Sequence, residues 1–435
     1  MTPRRLAVKA LMHQEQAGYA NLVLDAELKK CAPPLDGRDA AFAVRIFYTT
    51  LERLPLLDYI LNQFTKKPVN KLDAPVRAVL RAGLAQARYM NVPLPAAVNE
   101  SVKLTKALGK ASAAGMVNAV LRRAASAKVC ESEFADPLDR LATYYCLSRP
   151  VAQLFYEQFG EEAFPLAAAF YDKPKTTIRV NTLRTNDAAL TALLQSEGHT
   201  VTPGPWAGAL VIEFAGSPAA SAAFKEGLFH VQGLASQFAA LCVDAKPGQQ
   251  VLDLCAAPGG KSLTLAEAMQ DKGQLVSGEF VPTRVPLLQR SFDRCGMTCA
   301  VAVENDATRH NPGWPKFDRV LCDVPCSGLG VIAKKPDIRY KDLDGIENLL
   351  ATQQKILQNG ADSLAENGRL VYSTCTVNYK ENQAQVEKFL STNPDFHVVE
   401  PETALPGADI GPLGTLFLPH KTGMDGFFAA ILERK

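Results

Sequence analysis

The chain has 435 residues, of which 47% are hydrophobic and 21% are charged, the balance of a globular protein with two or three domains. Its 47 basic and 45 acidic side chains leave a formal net charge of +2. No apolar run approaches the length of a membrane span, and the first residues, MTPRRLAVKALMHQ, lack the apolar core of a signal peptide. These features argue against a transmembrane or secreted protein, and we expect a cytoplasmic one.

Ten cysteines are scattered along the chain. This fits reduced thiols better than the disulfide framework of a small secreted domain. No Cys-x-x-Cys pair occurs, and the most closely spaced pairs, Cys295/Cys299 and Cys322/Cys326, have no histidine placed to complete a zinc site. We therefore expect no bound metal and no membrane partner.

Charge is distributed unevenly along the sequence. Residues 1–128 contain 20 basic and 9 acidic side chains, a balance of +11, so the remaining 307 residues carry a balance of −9. A basic module joined to an acidic one suggests that the first binds a polyanion. An ordinary solvated basic surface explains the charge equally well.

The N-terminal region shows helical periodicity and no convincing strand. Apolar residues recur three and four apart, for example Val44, Tyr48 and Leu51, and prolines mark breaks between the segments. The pattern predicts a compact helical bundle over residues 1–128. Within it, GMVNAVLRR at Gly115–Arg123 is similar to the last helix of NusB-like antitermination domains, and that resemblance implies an RNA-binding domain.

Residues 129–233 are predicted to form linker helices and a small α+β subdomain. The pattern stays helical to about Phe170, and Thr176–Leu183 is then rich in β-branched residues, which predicts a strand. Further strand-like runs occur at Leu210–Phe214 and Leu228–Val231.

Strands and helices alternate from residue 234 to residue 435. A helix at Ala235–Val243 precedes a strand at Val251, and further strand-like runs follow at Gln274–Gly278, Ala300–Val303, Arg319–Asp323, Arg369–Ser373, Phe396–Val399, Gly414–Leu418 and Gly426–Leu432. Such alternation predicts a mostly parallel, doubly wound α/β sheet. The last two strands are close enough in sequence to form a hairpin.

The stretch VLDLCAAPGGK at Val251–Lys261 is a short apolar run, a loop of small residues and the start of a helical pattern. In an open parallel sheet such a junction binds nucleotide-like ligands, because glycine permits close approach and the helix N-terminus offers free N–H groups. The stretch lacks the G-x-G-x-x-G pattern. A P-loop NTPase using Gly260 and Lys261 is an alternative, but Cys255 replaces its first glycine and Pro258 interrupts the loop.

Three motifs give the chain a family resemblance. VLDLCAAPGGKS resembles the cofactor loop of S-adenosylmethionine-dependent RNA cytosine-C5 methyltransferases, and DVPCSGLG at Asp323–Gly330 and YSTCTVNYKEN at Tyr372–Asn382 resemble that family's two cysteine motifs. Along nearly its whole length the chain is similar to the bacterial small-subunit rRNA cytosine-C5 methyltransferases of the Sun/Fmu type. The resemblance implies a Rossmann-like, seven-stranded methyltransferase domain over residues 234–435, S-adenosyl-L-methionine as cofactor, and small-subunit (16S) rRNA as partner and substrate.

The resemblance also assigns cofactor-binding residues. The loop is expected to contribute Cys255, Ala256, Ala257, Pro258, Gly259, Gly260 and Lys261. Glu279 lies 26 residues after Asp253, which suits a carboxylate that accepts hydrogen bonds from both ribose hydroxyls. Asp306 matches the family's acid near the adenine amine, and Asp323 closes the fourth strand. All three acids follow strands, so they should lie along one edge of the sheet.

Two further positions concern the family pattern. Relatives commonly have Gln-Asp before the helix that precedes the cofactor strand, whereas this chain has Gln232-Gly233. Another group must then place the methionine part of the cofactor. Arg179 and Asn181 match the R-x-N segment of the family's RNA-contacting subdomain, and they are either RNA contacts or ordinary surface residues.

Methylation at carbon 5 of cytosine requires covalent catalysis, because that carbon is not nucleophilic enough by itself. A thiolate that adds to carbon 6 makes carbon 5 electron-rich, and a base must then remove the carbon 5 proton so that the thiol can leave. The resemblance implies Cys375 as the nucleophile and Cys326 as the residue that assists release, whereas DNA cytosine methyltransferases attack with the Pro-Cys cysteine, here Cys326. Lys261 and the cationic cofactor are expected to lower the thiol pKa toward about 7. Asp323 is expected to hydrogen-bond the cytosine, and Cys322 to point away from the site.

A second alternative of another class is a non-enzymatic RNA-binding or antitermination factor, suggested by the basic first domain. The paired cysteine motifs argue against it. As an enzyme the protein must extract its target base from a helix or loop. We expect a monomer.

Overall fold

The computed structural model describes residues 1–16, 19–214, 216–403 and 405–434. Its internal contacts divide the chain into two units, one formed by Met1–Ala168 with Lys334–Asp342 and the other by Ala169–Ala333 with Leu343–Lys435. This division is coarser than the expected three domains of residues 1–128, 129–233 and 234–435, which stay a prediction.

The described part of the first unit is helical and contains no strand. Its helices are α1 Pro3–Gln14, α2 Ala20–Lys29, α3 Gly37–Leu51, α4 Leu54–Asn62, α5 Ala74–Tyr89, α6 Leu94–Ala107, α7 Ala114–Ser126, α8 Pro137–Asp139, α9 Arg149–Phe159 and α10 Ala163–Ala169. Side-chain caps fix several starts, as where the Asp36 carboxylate accepts the Asp39 N–H at 2.7 Å before α3. Buried residues such as Phe47 and Leu80 form the core, and the predicted helical bundle is confirmed.

Lys334–Asp342 packs inside this unit although it lies far along the sequence. Its short 3₁₀ helix, Pro336–Tyr340, carries a fully buried arginine, Arg339. The Arg339 guanidinium donates to the Glu52 carbonyl at 2.9 Å, and the Tyr340 hydroxyl donates to the Leu51 carbonyl at 2.6 Å. The C-terminal end of α3 is thus bonded to a segment almost 300 residues away in the sequence.

The second unit begins with a four-stranded antiparallel sheet in the order β2-β3-β1-β4. Its strands are β1 Thr176–Val180, β2 Thr200–Pro203, β3 Ala209–Glu213 and β4 Phe229–Val231, and its helices are α11 Asp187–Ser196 and α12 Ala222–Lys225. Ile178, Leu190 and Phe229 form part of its buried core. The predicted small α+β subdomain is confirmed.

The rest of the second unit is a nine-stranded sheet with helices between most of its strands. The strands are β5 Gln250–Asp253, β6 Gln274–Glu279, β7 Ala300–Glu304, β8 Phe317–Asp323, β9 Leu364–Thr374, β10 Phe396–Val399, β11 Asp409–Gly411, β12 Gly414–Phe417 and β13 Phe427–Arg434. The helices are α13 Leu234–Cys242, α14 Gly260–Ala268, α15 Val285–Cys295, α16 Ile346–Ser363, α17 Gln383–Thr392 and α18 Pro419–Thr422.

The strand order β7-β6-β5-β8-β9-β13-β12 reproduces the predicted seven-stranded arrangement. The first five strands of this order are parallel, and β13 is antiparallel to both β9 and β12, which is the predicted terminal pair. β10 and β11 extend the sheet beyond these seven strands. The chain order reverses between β5 and β8, so their carboxyl ends form the switch point at which open α/β sheets bind ligands.

Candidate active site

The loop after β5 is shaped by a glycine and a buried acid. Gly259 has φ +105°, and a Cβ there would lie 2.6 Å from Leu288 Cδ1, so a side chain would be strained and would clash. The Asp253 carboxylate is buried and accepts hydrogen bonds from the Ser262 hydroxyl at 2.7 Å and the Cys255 N–H at 3.3 Å. Burial raises the pKa of Asp253 to about 7. The two bonds join the loop to the first turn of α14.

A cavity of about 600 Å³ opens at the carboxyl edge of the sheet. Seven of the predicted site residues line it: Cys255, Ala257, Glu279, Asp306, Asp323, Cys326 and Cys375. A second cavity, of about 540 Å³, is lined by seven of them, namely Cys255, Ala256, Ala257, Pro258, Gly260, Lys261 and Asp323, and also by Gly233. Gly259 lines neither cavity and serves the turn. The predicted residues therefore gather on both sides of the loop.

Glu279 and Asp306 lie in different environments within the first cavity. Glu279, at the end of β6, is largely buried and accepts the Val281 N–H at 2.8 Å. The Asp306 carboxylate is half-exposed and accepts the N–H and the hydroxyl of Thr308 at 3.0 and 2.7 Å. These hydrogen bonds lower the pKa of Asp306. Both groups can accept hydrogen bonds from a polar ligand.

Sequence reasoning missed several residues that line the same cavity. Phe280 is 68% exposed directly after Glu279, which places an apolar ring at the cavity. Arg284, Asn305 and Thr308 also line it. Their positions in the loops after β6 and β7 could have indicated a role in ligand binding, since such loops form the ligand-binding edge of the sheet.

Asp323 lines both cavities and is held between a cation and a hydroxyl. The Lys261 ammonium lies 2.8 Å from one carboxylate oxygen, and the Ser373 hydroxyl donates to the other at 2.7 Å. Lys261 was expected to lower the pKa of the reactive thiol. It forms an ion pair with Asp323, because β8 places that carboxylate within its reach, and its expected effect on the thiol stays a prediction.

The Cys326 and Cys375 sulfur atoms are 3.2 Å apart. Neither sulfur is in a disulfide, and both line the first cavity. The hydrogen bond with Cys375 and burial raise the pKa of Cys326 well above its ordinary value. Cys322 is fully buried, directs its thiol to the Ile356 carbonyl at 3.8 Å and lines neither cavity, in accord with its predicted orientation away from the site.

Arg179 and Asn181 are neither surface residues nor placed to contact RNA. Both are buried. The Arg179 guanidinium donates to the Glu267 carboxylate at 3.0 Å, and the Asn181 amide donates to the carbonyls of Gly227 and Cys295 at 2.8 and 2.9 Å. Both expectations for these residues were wrong, because each side chain bonds to groups from other parts of the second unit.

Two absences concern the described residues. No helix among them is both long and apolar enough to cross a membrane. Across the same parts of the chain, no group of three or more histidine, cysteine, aspartate or glutamate side chains is arranged to hold a metal ion.

Family models match most of the chain. The model described as 16S rRNA methyltransferase RsmB/F matches residues 240–433, the NusB family model matches residues 1–126, and the RsmF/B-like ferredoxin-like domain matches residues 151–217.

Several known proteins are similar over nearly the full length. The probable ribosomal RNA small subunit methyltransferase B of Bacillus subtilis (strain 168) is 34% identical, with 99% of this chain and 98% of that protein covered. The ribosomal RNA small subunit methyltransferase B of Vibrio cholerae is 31% identical, with 100% and 98% covered.

Solved structures share the fold. The crystal structure of PH0851 matches with a TM-score of 0.81 at 24% identity and covers 100% of this chain and 99% of that one. NSun6 from Pyrococcus horikoshii with SFG matches with a TM-score of 0.60 at 23% identity and covers 65% and 97%.

The strand order and the cavity at the switch point, together with these similarities, define a methyltransferase. The chain belongs to the RsmB/F family of S-adenosylmethionine-dependent 16S rRNA methyltransferases and carries an N-terminal NusB-family region. Membership of this family argues against both alternatives, a P-loop NTPase and a non-enzymatic antitermination factor.

Proposed function

We propose that the enzyme transfers a methyl group to carbon 5 of a cytosine in small-subunit rRNA through a covalent bond between Cys375 and carbon 6. The observation that carries this proposal is the pair of thiols, Cys326 and Cys375, 3.2 Å apart in the cavity that also holds Glu279, Asp306 and Asp323. Methylation of an oxygen or an exocyclic nitrogen would need neither thiol.

The first cavity fits S-adenosyl-L-methionine in its size and in the hydrogen-bond acceptors that line it. Its volume of about 600 Å³ lies in the range of small-molecule sites. Glu279 would accept hydrogen bonds from the ribose hydroxyls, Asp306 would accept from the adenine amine, and Phe280 would cover an apolar face. When bound, the cofactor supplies an electrophilic methyl group. The loop around Gly260 would hold its amino acid end close to the backbone.

The position of Cys326 suits removal of the carbon 5 proton. Attack by Cys375 at carbon 6 occupies one face of the ring, so the methyl group must arrive from the other face. The carbon 5 proton then remains on the face of Cys375. A base that removes it must be a neighbour of the nucleophile, and Cys326 is that neighbour. Removal of the proton restores the double bond as the Cys375 sulfur leaves carbon 6.

Asp323 and Lys261 would orient the base. Asp323 lines both cavities, so a base at the thiols would lie beside its carboxyl group. The Lys261 ammonium, 2.8 Å from that carboxylate, would offset negative charge that develops on the ring during thiol attack. The second cavity gives the target nucleotide a separate approach on the other side of the loop.

The substrate class rests on the first unit and on the relatives. Residues 1–128 carry a charge balance of +11, and the NusB family model covers almost the same range. The relatives from Bacillus and Vibrio are named as small subunit methyltransferases. We infer that the protein binds 16S rRNA and methylates a cytosine in a loop or single strand, where extraction of the base costs least.

Trapping of the covalent intermediate tests this reaction. Cys375→Ala should form no adduct, because nothing attacks carbon 6. Cys326→Ala should still attack and methylate but should release slowly, so a denaturant-resistant RNA–protein adduct should accumulate. Both variants are incubated with 16S rRNA and S-adenosylmethionine and resolved on a denaturing gel.

The double variant Cys326→Ala/Cys375→Ala is the control and should give no adduct. An adduct with Cys375→Ala and none with Cys326→Ala would reverse the assignment and favour the DNA-type mechanism. The proposal is contradicted if no variant forms an adduct and if 5-methylcytosine in 16S rRNA is unchanged in cells that lack the gene.

A further inference from the structure

Glu381 is a buried carboxylate that the proposed reaction does not use. It ends the 3₁₀ turn Tyr379–Glu381 before α17 and has no exposed surface. The ion pairs found among the described residues do not include it. Its carboxylate instead accepts hydrogen bonds from Ser327, Gln353, Thr376 and Asn378. Every partner is a donor, so both carboxylate oxygens act as hydrogen-bond acceptors.

These donors belong to both cysteine loops. Ser327 directly follows Cys326, and it donates its N–H to Glu381 at 2.7 Å and its hydroxyl at 2.5 Å. Thr376 directly follows Cys375, and its hydroxyl lies 2.8 Å from that of Ser327 and 3.4 Å from the carboxylate. One carboxylate therefore links the residues that adjoin the two reactive thiols.

The Cys326 loop depends on the Glu381 carboxylate more than the Cys375 loop does. Gln353 donates to the Pro325 carbonyl at 2.9 Å and to Glu381 at 3.1 Å, so the residues on both sides of Cys326 depend on this carboxylate. The Cys375 loop has an independent support in Asn382, which donates to the Thr376 carbonyl at 2.9 Å and accepts from the Thr374 hydroxyl at 2.5 Å.

Glu381 itself is held in a fixed place. The Tyr372 hydroxyl donates to the Glu381 carbonyl at 2.7 Å. Backbone bonds from Val324 N–H to the Ser373 carbonyl and from Gly330 N–H to the Cys375 carbonyl, both 3.0 Å, join the same loops without Glu381. The sheet edge can therefore persist when the carboxylate is altered, while the loop around Cys326 becomes less constrained.

We propose that Glu381 is a positioning residue that sets Cys326 against the base bonded to Cys375, and that it acts on release more than on attack. The inference rests on the proposed function. Glu381→Gln keeps the shape of the side chain but replaces one acceptor oxygen by an amide donor. At either oxygen position that amide meets an amide donor, from Gln353 or from Asn378, so the network that joins Glu381 to the Cys326 loop loses at least one bond.

The test follows formation and decay of the RNA–protein adduct in the full chain. Glu381→Gln is compared with Glu387→Gln, which changes an exposed glutamate on α17. We expect Glu387→Gln to behave as the wild type. With Glu381→Gln, adduct formation should stay near the wild-type rate, while adduct decay and kcat should fall by roughly ten- to a hundredfold, the effect of a misplaced catalytic group. The dissociation constant for S-adenosylmethionine, measured by calorimetry, should not change, and KM should fall together with kcat because only a step after methyl transfer is slowed.

Equal slowing of formation and decay, or an unchanged decay rate, would overturn the inference, because a merely structural residue has no reason to slow release selectively. If Glu381→Gln does not fold cooperatively, Ser327→Ala tests the same link by removal of one donor and should also accumulate adduct. Ser327→Ala with wild-type decay would equally contradict the proposal.

Failure of this inference can be told from failure of the proposed function. If Cys326→Ala traps an adduct and Glu381→Gln does not, only the role of Glu381 is wrong. If neither Cys326→Ala nor Cys375→Ala traps an adduct, the covalent mechanism itself fails, and an adduct with Cys375→Ala alone reverses the assignment of the thiols. Either result removes the proposed role of Glu381 as well.

Discussion

Four carboxylates surround the loop after β5, and each is stabilised differently. Asp253 is buried beneath the loop with a pKa raised to about 7, Asp306 is half-exposed with a pKa lowered by Thr308, and Asp323 is paired with Lys261. Glu279 is largely buried and lines the first cavity. Only the last three line that cavity, so a ligand there meets acceptors whose geometry is already fixed.

Glu279→Ala should weaken S-adenosylmethionine binding by about 1–3 kcal/mol, the range for loss of hydrogen bonds to a charged group. Calorimetry measures the affinity. Glu304→Ala is the matched control, since Glu304 pairs with Glu279 in the β6–β7 register but is exposed and does not line the cavity. Equal affinities for wild type and Glu279→Ala would remove Glu279 from the site.

Removal of Cys375 should lower the pKa of Cys326. The hydrogen bond between the thiols is the largest cause of the raised Cys326 pKa, and burial is the second. In Cys375→Ala the first cause is lost and burial remains, so the pKa should fall yet stay above its ordinary value. The pH dependence of iodoacetamide alkylation at Cys326, followed by peptide mass spectrometry, measures it.

Cys242 provides an internal reference in the same samples, since burial raises its pKa to about 12 and it lies outside both cavities. An unchanged or higher Cys326 pKa in Cys375→Ala would contradict the prediction. A lower value has a mechanistic consequence. Once Cys375 bonds to carbon 6 it no longer shares a proton with Cys326, so the release base becomes easier to ionise after attack.

At the scale of elements, local patterns predicted the sheet well. Its central strands are short apolar runs after which polar residues begin, and the predicted strands at Gln274–Gly278 and Arg319–Asp323 lie within β6 and β8. The carboxyl edge of such a sheet follows from connectivity, so the placement of Glu279 and Asp323 could be predicted as well.

Contacts between distant parts of the sequence could not be predicted in this way. The segment KKPDIRY contains a proline and no periodic apolar residues, so it resembles a surface loop, yet Arg339 is fully buried. The alternation of β1 does not reveal that Glu267 covers Arg179. Likewise, the donors to Glu381 come from three separate stretches, and only the fold brings them together.

Arg339→Ala should destabilise the first unit by about 3 kcal/mol or more, because it deletes a buried side chain and leaves the Glu52 carbonyl without its charged donor. Thermal unfolding of the full chain gives the loss. Hydrogen exchange at α3 and α4 locates it. Lys335→Ala, an exposed charge in the same segment, should change neither measurement. If α3 and α4 are equally protected from hydrogen exchange in Arg339→Ala and Lys335→Ala, the Arg339 side chain is dispensable for the stability of the first unit.

At the scale of the whole molecule, charge separates the parts of the sequence. A chain with a net charge of +2 has little long-range attraction for RNA, but a +11 region attracts phosphates more strongly than a −9 region does. If this division is functional, RNA affinity depends on where the lysines lie and not on total charge.

Replacement of four exposed lysines by alanine tests this dependence. The first variant changes Lys66, Lys67, Lys71 and Lys106, and the second changes Lys173, Lys225, Lys272 and Lys388. Both lower the net charge by the same amount. The first should weaken 16S rRNA binding and flatten the plot of log affinity against log salt, by about 3 in slope if all four lysines contact phosphates.

The second variant separates local contact from overall charge. A protein that attracts RNA only through its total charge loses the same affinity in both variants, since both lose four positive charges. Direct phosphate contacts by residues 1–128 instead leave the second variant close to wild type in both affinity and salt slope, because counterion release is set by the phosphates actually neutralised. Filter-binding titrations with 16S rRNA at several salt concentrations measure both quantities, and equal slopes for the two variants would assign the +11 balance to something other than RNA contact.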